Sequence, residues 1–187
     1  MKERVVGVFG TWRAPPDSSI YLAAMEFGEL AAKRGFVVMT GSYSGIMEAA
    51  VRGARKADGR TLGYSWDKLD DELAPNEFLD QVIVCPSAEQ RMAHLVGNAD
   101  VCVFFPGRTG TAAELALATE LRAKGEKVVP LVLVGDFWTG FFSWLESSNK
   151  ALGLSADTSS PELYTTVGNA SDFEQFLQRH EHYWNKQ

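Results

Sequence analysis

Short, mostly apolar runs alternate along the chain with stretches in which apolar residues recur at helical spacing. The runs predict strands at residues 5–9, 36–40, 61–65, 78–85, 101–105, 127–134 and 163–167. Strands that are apolar on both faces and are separated by helices are typical of a parallel sheet covered on both sides. The pattern therefore predicts an α/β fold of three layers, with a doubly wound, mostly parallel sheet.

Local signals mark where several of the predicted helices begin. Ser18 has the position of a helix cap, and Ser87 with Gln90 three residues later has the spacing of a capping box. Residues 46–57 carry a stripe of small side chains, which lets that helix lie close to its neighbour, expected to be the sheet. The remaining predictions are an acidic surface excursion or lid over 66–76, helices over 137–145 and 173–184, and a polar loop over 155–161.

The composition is that of one soluble, globular domain, and we expect residues 1–187 to form a single Rossmann-like unit. Of the 187 residues, 45% are hydrophobic and 22% are charged, and the chain has no internal repeat or linker. It lacks both a run of about 18 apolar residues and a signal-peptide pattern. We therefore expect a cytoplasmic protein that does not bind a membrane. The net charge of −6 argues against binding to nucleic acid.

Three residues with reactive side chains are expected to serve the packing rather than the chemistry. Cys85 and Cys102 fall in apolar runs, which predicts buried free thiols in a reducing compartment. His180 lies on an apolar helical stripe and is expected to be packed there. Because the cysteines and histidines do not have the spacing of metal ligands, no metal site is expected.

The strand over 101–105 runs directly into a loop of Pro, Gly and Thr, and a helical pattern begins at once after it. The first N–H groups of such a helix are unpaired and lie at its positive end, which favours an anion such as a phosphate. Glu114 shares a helical face with Leu117 and Leu121, so its carboxylate is expected to be shielded from water. A tight strand–helix connection would explain Gly107 and Gly110 without any ligand, but it would not explain the added threonines and Glu114.

Three further loops follow predicted strands, so they are expected to meet at the same edge of the sheet. They begin at Gly10, Gly41 and Cys85. Arg91 borders the buried face of the helix after Cys85, where it either contributes to a site or lies over apolar neighbours at the surface. Tyr43 occupies the position that a nucleophilic serine would take in a hydrolase elbow, which argues against a serine hydrolase. The Walker and dinucleotide-binding patterns are both absent.

Taken together, these motifs resemble the Lonely-guy family of cytokinin riboside 5′-monophosphate phosphoribohydrolases. Residues 106–114, PGRTGTAAE, are similar to the family signature PGGxGTxxE, and residues 40–50, TGSYSGIMEAA, are similar to its loop TGGGxGIMEAA. Residues 8–11 resemble the first strand and turn of the family. Arg91 precedes the signature at the spacing of the family arginine, and Asp100 matches an aspartate that begins the following strand. The resemblance spans roughly residues 5 to 135.

The resemblance implies hydrolysis of the N-glycosidic bond of a nucleoside 5′-monophosphate, of the AMP or N6-substituted AMP type. The products would be a free base and ribose 5-phosphate. It also implies catalytic roles for Arg91 and Glu114, a small-molecule nucleotide as the partner, no cofactor, and a homodimer. The residues implied to bind the substrate and its phosphate are Gly10, Thr11, Gly41, Ser42, Gly45, Gly107, Arg108, Thr109, Gly110 and Thr111.

The chain departs from the family pattern at four positions near the implied site. Arg108 replaces the second glycine of PGG, where it either adds a phosphate contact or fills the pocket. Met92 stands where the family has lysine, and Ser42 and Tyr43 replace two glycines. An alternative is therefore a carrier of the same fold that binds a nucleotide or the molybdenum cofactor without catalysis. A third reading is an interaction protein with a vestigial pocket.

Overall fold

Seven parallel strands form one sheet in the computed structural model, which describes residues 3–70, 74–126, 129–154 and 163–181. In chain order they are β1 (Arg4–Phe9), β2 (Phe36–Thr40), β3 (Thr61–Trp66), β4 (Gln81–Cys85), β5 (Val101–Phe104), β6 (Leu131–Val134) and β7 (Thr165–Val167). Across the sheet the order is β4-β3-β2-β1-β5-β6-β7, and every neighbouring pair is parallel. The order reverses direction between β1 and β5, where the crevice beyond the strand ends is the usual ligand position of such sheets.

Helices cover both faces of the sheet, as the apolar strands predict. They are α1 (Ser19–Lys33), α2 (Ile46–Lys56), α3 (Asp67–Asp70), α4 (Ala88–Asn98), α5 (Thr109–Ala123), α6 (Thr139–Ala151) and α7 (Ala170–Arg179). One buried cluster joins α1, α2 and α7 to the sheet, and a second joins α4, α5 and α6 to its other face. Val103 belongs to the first cluster and its neighbour Phe104 to the second, as the alternation of side chains along a strand requires. The predicted three-layer Rossmann-like fold is confirmed.

The stripe of small residues on α2 has its closest contact with α1. A Cβ atom on Gly28 would lie 1.9 Å from the carbonyl oxygen of Ala50, and one on Gly53 would lie 1.9 Å from that of Met25. Only glycine therefore permits this distance between the two backbones. The prediction of close packing is confirmed, but the partner in closest contact is a helix rather than the sheet.

The two helix caps predicted from serines are present. The Ser18 hydroxyl accepts a hydrogen bond from the Tyr21 N–H, and the Ser87 hydroxyl accepts one from the Gln90 N–H. Each cap satisfies one of the N–H groups that a helix start leaves without a partner. The cap at Ser87 fixes the start of α4, the helix that carries Arg91.

Several predicted elements differ from the observed ones at their starts, among them β7, which begins at Thr165 rather than at 163, and α7, which begins at Ala170 rather than at 173. β6 begins after Pro130, whose nitrogen has no hydrogen to donate to the neighbouring strand. β4 begins at Gln81, because the backbone N–H of the preceding Asp80 donates to the side-chain hydroxyl of Thr61 instead of to a carbonyl group of β3. α6 begins at Thr139, and the described part of the predicted acidic excursion contains the short helix α3.

Several sequence predictions fall on residues outside the described ranges. These are residues 71–73 of the predicted excursion, residues 127–128 of the predicted strand, the polar loop over 155–161, and residues 182–184 of the closing helix.

Both cysteines are buried with free thiols, as predicted. His180 lies just after α7, half-buried, with its ring centroid 4.2 Å from that of Phe176. It is therefore packed against the closing helix. Within the described ranges, none of the helices has the length and hydropathy needed to traverse a bilayer.

Candidate functional site

A pocket of about 560 Å³ lies beyond the carboxyl ends of the central strands, where the strand order reverses. This volume is within the usual range for small-molecule sites, about 300 to 1,000 Å³. Its walls come from the end of β1 and the loop after it, from the loop before α2 and the first turn of α2, from α4, and from the start of α5. The lining residues are Val8, Phe9, Gly10, Thr11, Trp12, Arg13, Tyr43, Met47, Arg91, Arg108, Thr109, Gly110, Thr111 and Glu114.

The first turn of α5 forms one wall of this pocket. Arg108 is the N-cap residue and makes no capping bond through its side chain, and the Ala112 N–H donates to its carbonyl oxygen at 2.9 Å. Helical bonding of this kind begins only at the fourth N–H, so the preceding N–H groups have no partner within the helix. A Cβ atom on Gly110 would meet nothing within 4 Å, so its backbone is open to a close approach.

Gly107 serves the fold of the loop rather than the lining of the pocket. A Cβ atom at this position would lie 2.3 Å from the hydroxyl oxygen of Thr111. Glycine therefore lets the loop after β5 fold back against the first turn of α5. Thr111, which is buried, lines the pocket from that turn.

The backbone of Thr11 joins the three loops that meet at the pocket. Its N–H donates to the carbonyl oxygen of Pro106 at 3.1 Å, and its own carbonyl oxygen accepts from the Ile46 N–H at 3.0 Å. Gly10 and Gly45 make this arrangement sterically possible. A Cβ atom on Gly10 would lie 2.7 Å from the Ile46 side chain, and one on Gly45, where φ is +64°, would lie 2.5 Å from the carbonyl oxygen of Thr11.

The predicted binding residues Gly41, Ser42 and Gly45 are not among the residues that line the pocket. Ser42 is buried with a φ of +77°, and a Cβ atom on Gly63 would lie 2.3 Å from its hydroxyl oxygen, so its side chain faces β3. Its carbonyl oxygen accepts from the side-chain amide of Asn76 at 2.7 Å. Tyr43, from the same loop, and Met47, from the first turn of α2, line the pocket instead.

Arg91 is held inside the site by backbone carbonyl groups. Its Nε donates to the Tyr64 carbonyl oxygen at 2.7 Å and its Nη2 donates to the Gly41 carbonyl oxygen at 2.8 Å. Its guanidinium carbon lies 5.4 Å from the centroid of the Tyr43 ring. A Cβ atom on Gly41 would lie 1.8 Å from Nη2, so the lack of a side chain at Gly41 makes room for the arginine. Arg91 therefore does not lie over apolar surface in solvent, the alternative that its sequence position left open.

Glu114 is the buried carboxylate of the pocket, with a residue exposure of 7%. Its Oε1 lies 3.9 Å from Nη1 of Arg91, so the structure brings the two predicted catalytic residues together from α4 and α5. Burial raises the pKa of Glu114 to about 7, although the positive charge of Arg91 acts in the opposite direction. Near neutral pH the group is therefore present in both its protonated and its ionised form.

Trp12 and Arg13 line the pocket without having been singled out from the sequence. The guanidinium carbon of Arg13 lies 4.6 Å from the centroid of the Trp12 ring, which is 39% exposed. Both residues follow the predicted turn at Gly10 and Thr11 directly. A half-exposed tryptophan in a loop after a buried strand is the signal in the sequence that could have identified them.

The fold and the position of the pocket define a Rossmann-like α/β protein with a pocket of small-molecule size at the strand reversal. The SLOG cluster4 family model matches residues 3–155, and the chain belongs to this family. The relationship to Lonely-guy proteins predicted from the motifs is thereby confirmed.

Two curated relatives each match about two thirds of the chain. A pyrimidine/purine nucleotide 5′-monophosphate nucleosidase from Escherichia coli K12 is 31% identical over 125 residues, which cover 62% of this chain. The match spans only 28% of the length of that enzyme. An uncharacterized protein from Archaeoglobus fulgidus is 30% identical over 131 residues, which cover 70% of this chain and 82% of that protein.

Among solved structures, the molybdenum cofactor binding protein of Rippkaea orientalis is similar over nearly the whole chain. The TM-score is 0.72 at 25% sequence identity, with 96% of this chain and 98% of the other covered.

Proposed function

We propose that this protein hydrolyses the N-glycosidic bond of a nucleoside 5′-monophosphate, releasing a free base and ribose 5-phosphate. The observation that carries the proposal is the pair formed by the partly buried Arg91 and the buried Glu114, which opens onto the same pocket as the first turn of α5. The similarity of part of the chain to part of a nucleotide 5′-monophosphate nucleosidase supports it.

The 5′-phosphate would bind at the first turn of α5. Backbone N–H groups at the start of this helix and the hydroxyl groups of Thr109 and Thr111 can donate hydrogen bonds to the phosphate oxygens, and the helix dipole favours the negative charge. Thr111 and Glu114 are three residues apart and therefore lie on the same face of the helix. A phosphate bound at this turn would leave the ribose next to the carboxylate.

Glu114 would act on the ribose during cleavage. As the bond between C1′ and the base nitrogen breaks, its electron pair leaves with the base and positive charge develops on the ribose. An ionised carboxylate close to that charge lowers the energy of the transition state. The oxygen of a water molecule then bonds to C1′, and a proton from that water ends on the base. Glu114 would also orient this water.

Arg91 would supply a fixed positive charge beside the reacting atoms. Two hydrogen bonds to backbone carbonyl groups, those of Tyr64 and Gly41, hold its guanidinium in place. That charge would offset negative charge on the phosphate or on the departing base. Because its position is set before substrate binds, no reorganisation is needed during the reaction.

The proposal is tested by measuring base release from a panel of nucleoside 5′-monophosphates beside the matching nucleosides. We expect release from the monophosphates alone, and we expect Glu114→Gln to abolish it while AMP still binds. Glu120→Gln is the matched control, because Glu120 lies on the same helix but is exposed and pairs with Lys124. Undiminished base release by Glu114→Gln would remove this residue from the mechanism.

A second candidate function is a carrier that binds its ligand without cleaving it. It is favoured by the likeness to the molybdenum cofactor binding protein, which extends over almost the full length of both chains. Arg108, which replaces a glycine of the signature, points in the same direction. Absence of base release, together with a rise in melting temperature on addition of AMP, would favour this function.

The homodimer implied by the family resemblance is part of the proposal. Phe137 and Trp144 are both more than half exposed and offer apolar surface for such a contact. Light scattering that gives the mass of two chains would support it, and the mass of one chain would contradict it.

A further inference from the structure

Two arginines in the pocket have no assigned step in the proposed hydrolysis, although the family resemblance implies that one of them, Arg108, contacts the phosphate. Arg13 follows the first loop, and Arg108 is the N-cap residue of α5. With Arg91 they place three guanidinium groups around a pocket that contains one carboxylate, that of Glu114. Arginine stays protonated at all physiological pH values. The pocket is therefore positively charged, although the chain as a whole has a net charge of −6.

The three arginines differ in what they already bind. Arg91 has two carbonyl oxygens and the carboxylate of Glu114 as its partners. Within the described part of the chain, by contrast, no carboxylate lies within 4.0 Å of Arg13 or Arg108. Both side chains are exposed, and positive charges that line a pocket raise the local concentration of anionic ligands.

The geometry of Arg13 leaves its hydrogen-bond donors available. Its guanidinium packs over the Trp12 ring at 4.6 Å, an arrangement that occupies one face of the group. The N–H bonds of a guanidinium lie in its plane, so stacking restricts its motion without using its donors. An arginine held in this way is suited to bidentate binding of a phosphate.

A 5′-phosphate bound at the first turn of α5 does not require the donors of Arg13. The first turn of α5 already provides N–H groups, threonine hydroxyl groups and the helix dipole for one phosphate. We propose that the ligand is a nucleotide with a second phosphate group, bound by Arg13 and Arg108 at the mouth of the pocket. This inference rests on one part of the proposed function, the binding of a nucleotide at the first turn of α5.

The test is calorimetric titration of the whole protein with AMP, ADP and adenosine 3′,5′-bisphosphate. In ADP the second phosphate is attached to the first, whereas in adenosine 3′,5′-bisphosphate it is attached to the 3′ oxygen of the ribose. We expect at least one of them to bind about tenfold or more tightly than AMP, the gain typical of added charge-assisted hydrogen bonds. Arg13→Ala and Arg108→Ala should each reduce that preference. Arg179→Ala is the control, because it removes the same charge from an exposed position on α7.

The possible outcomes separate this inference from the proposed function. If the three nucleotides bind equally while AMP is still hydrolysed, the second phosphate site is wrong and the proposed function stands. If each of the two variants weakens the binding of AMP and of ADP by the same factor, the arginines bind the first phosphate and the inference is again overturned. If no nucleotide binds, the inference and the proposed function both fail.

Discussion

The Nη1 atom of Arg91 lies 3.9 Å from Oε1 of Glu114, too far for a hydrogen bond although close enough for their charges to interact. The other two nitrogens of the guanidinium donate to the carbonyl oxygens of Tyr64 and Gly41. The position of Arg91 is therefore set by the backbone and does not depend on the ionisation of Glu114. Substitutions at Glu114 thus remove its charge while Arg91 remains in place.

The ionisation of Glu114 makes the stability of the fold depend on pH. Its pKa is about 7 in the folded protein and is taken as 4.5 in the unfolded chain. Between these values the folded protein holds a proton that the unfolded chain has lost, so the free energy of unfolding falls as pH rises through this window. The whole loss is on the order of 3 kcal/mol.

We expect Glu114→Gln to lack this part of the pH dependence, because glutamine does not ionise. Urea unfolding at about pH 5 and about pH 8 measures it, with Glu120→Gln as the exposed control. Equal pH dependence in the parent protein and in Glu114→Gln would contradict the raised pKa.

The same ionisation should control the rate of base release. If the carboxylate form of Glu114 is the active one, kcat at saturating AMP rises with pH and then levels off. The midpoint should lie at or above about pH 7, because the negative phosphate of bound AMP opposes ionisation of the carboxyl group. A kcat that does not change between about pH 5.5 and about pH 8.5 would show that this ionisation is not part of the reaction.

Gly107, in the loop after β5, and Gly110, in the first turn of α5, should respond in opposite ways to alanine. Gly110→Ala meets no neighbour within 4 Å, and alanine stabilises a helix by about 0.5 to 1 kcal/mol relative to glycine. We expect a higher melting temperature but weaker AMP binding, because the methyl group occupies the space where a phosphate approaches the backbone. In Gly107→Ala the new Cβ atom would lie 2.3 Å from the Thr111 hydroxyl oxygen, so stability should fall. Unchanged AMP affinity in Gly110→Ala would argue against a phosphate at this turn.

Gly41→Ala should displace the guanidinium of Arg91, although Arg91 itself is not substituted. The new Cβ atom would lie 1.8 Å from Nη2, so the guanidinium must move and its hydrogen bonds break. We expect a loss of base release and of about 1 to 3 kcal/mol in the free energy of unfolding, the usual cost of unpaired buried polar groups. Because this cost arises through Arg91, it should be smaller in an Arg91→Ala background. If the losses of unfolding free energy caused by Gly41→Ala and Arg91→Ala simply add in the double variant, Gly41 acts in another way.

Tyr43 is the buried tyrosine whose ring lies next to Arg91. In contrast to Gly41→Ala, removal of its hydroxyl group should change stability only. The hydroxyl oxygen of Tyr43 accepts a hydrogen bond from the Trp66 N–H at 2.9 Å. Tyr43→Phe keeps the ring next to Arg91 but leaves this N–H without its partner, at a cost of about 1 to 3 kcal/mol. Urea unfolding measures the loss. An unchanged free energy of unfolding would mean that the hydrogen bond contributes nothing.

The parts of the site that the sequence predicts are those with a regular pattern. Apolar runs that end in small-residue loops locate the sheet edge, and helical spacing predicts the burial of Glu114. The contact between Arg91 and Gly41 joins residues 50 positions apart, and no periodicity encodes it. Gly41 is predicted as a ligand contact from the family resemblance, and in the structure its lack of a side chain leaves space for Arg91. Trp12 and Arg13 lie in a loop without any period, so the pattern does not single them out.

The hydrogen bonds that join the three loops at Thr11 use main-chain atoms only. Any residue other than proline can make them, so the framework of the pocket does not depend on which side chain stands at that position. Substitutions there can change the surface that meets the ligand while the loops keep their relative positions. A pocket built in this way can acquire a new specificity during evolution without first losing its fold.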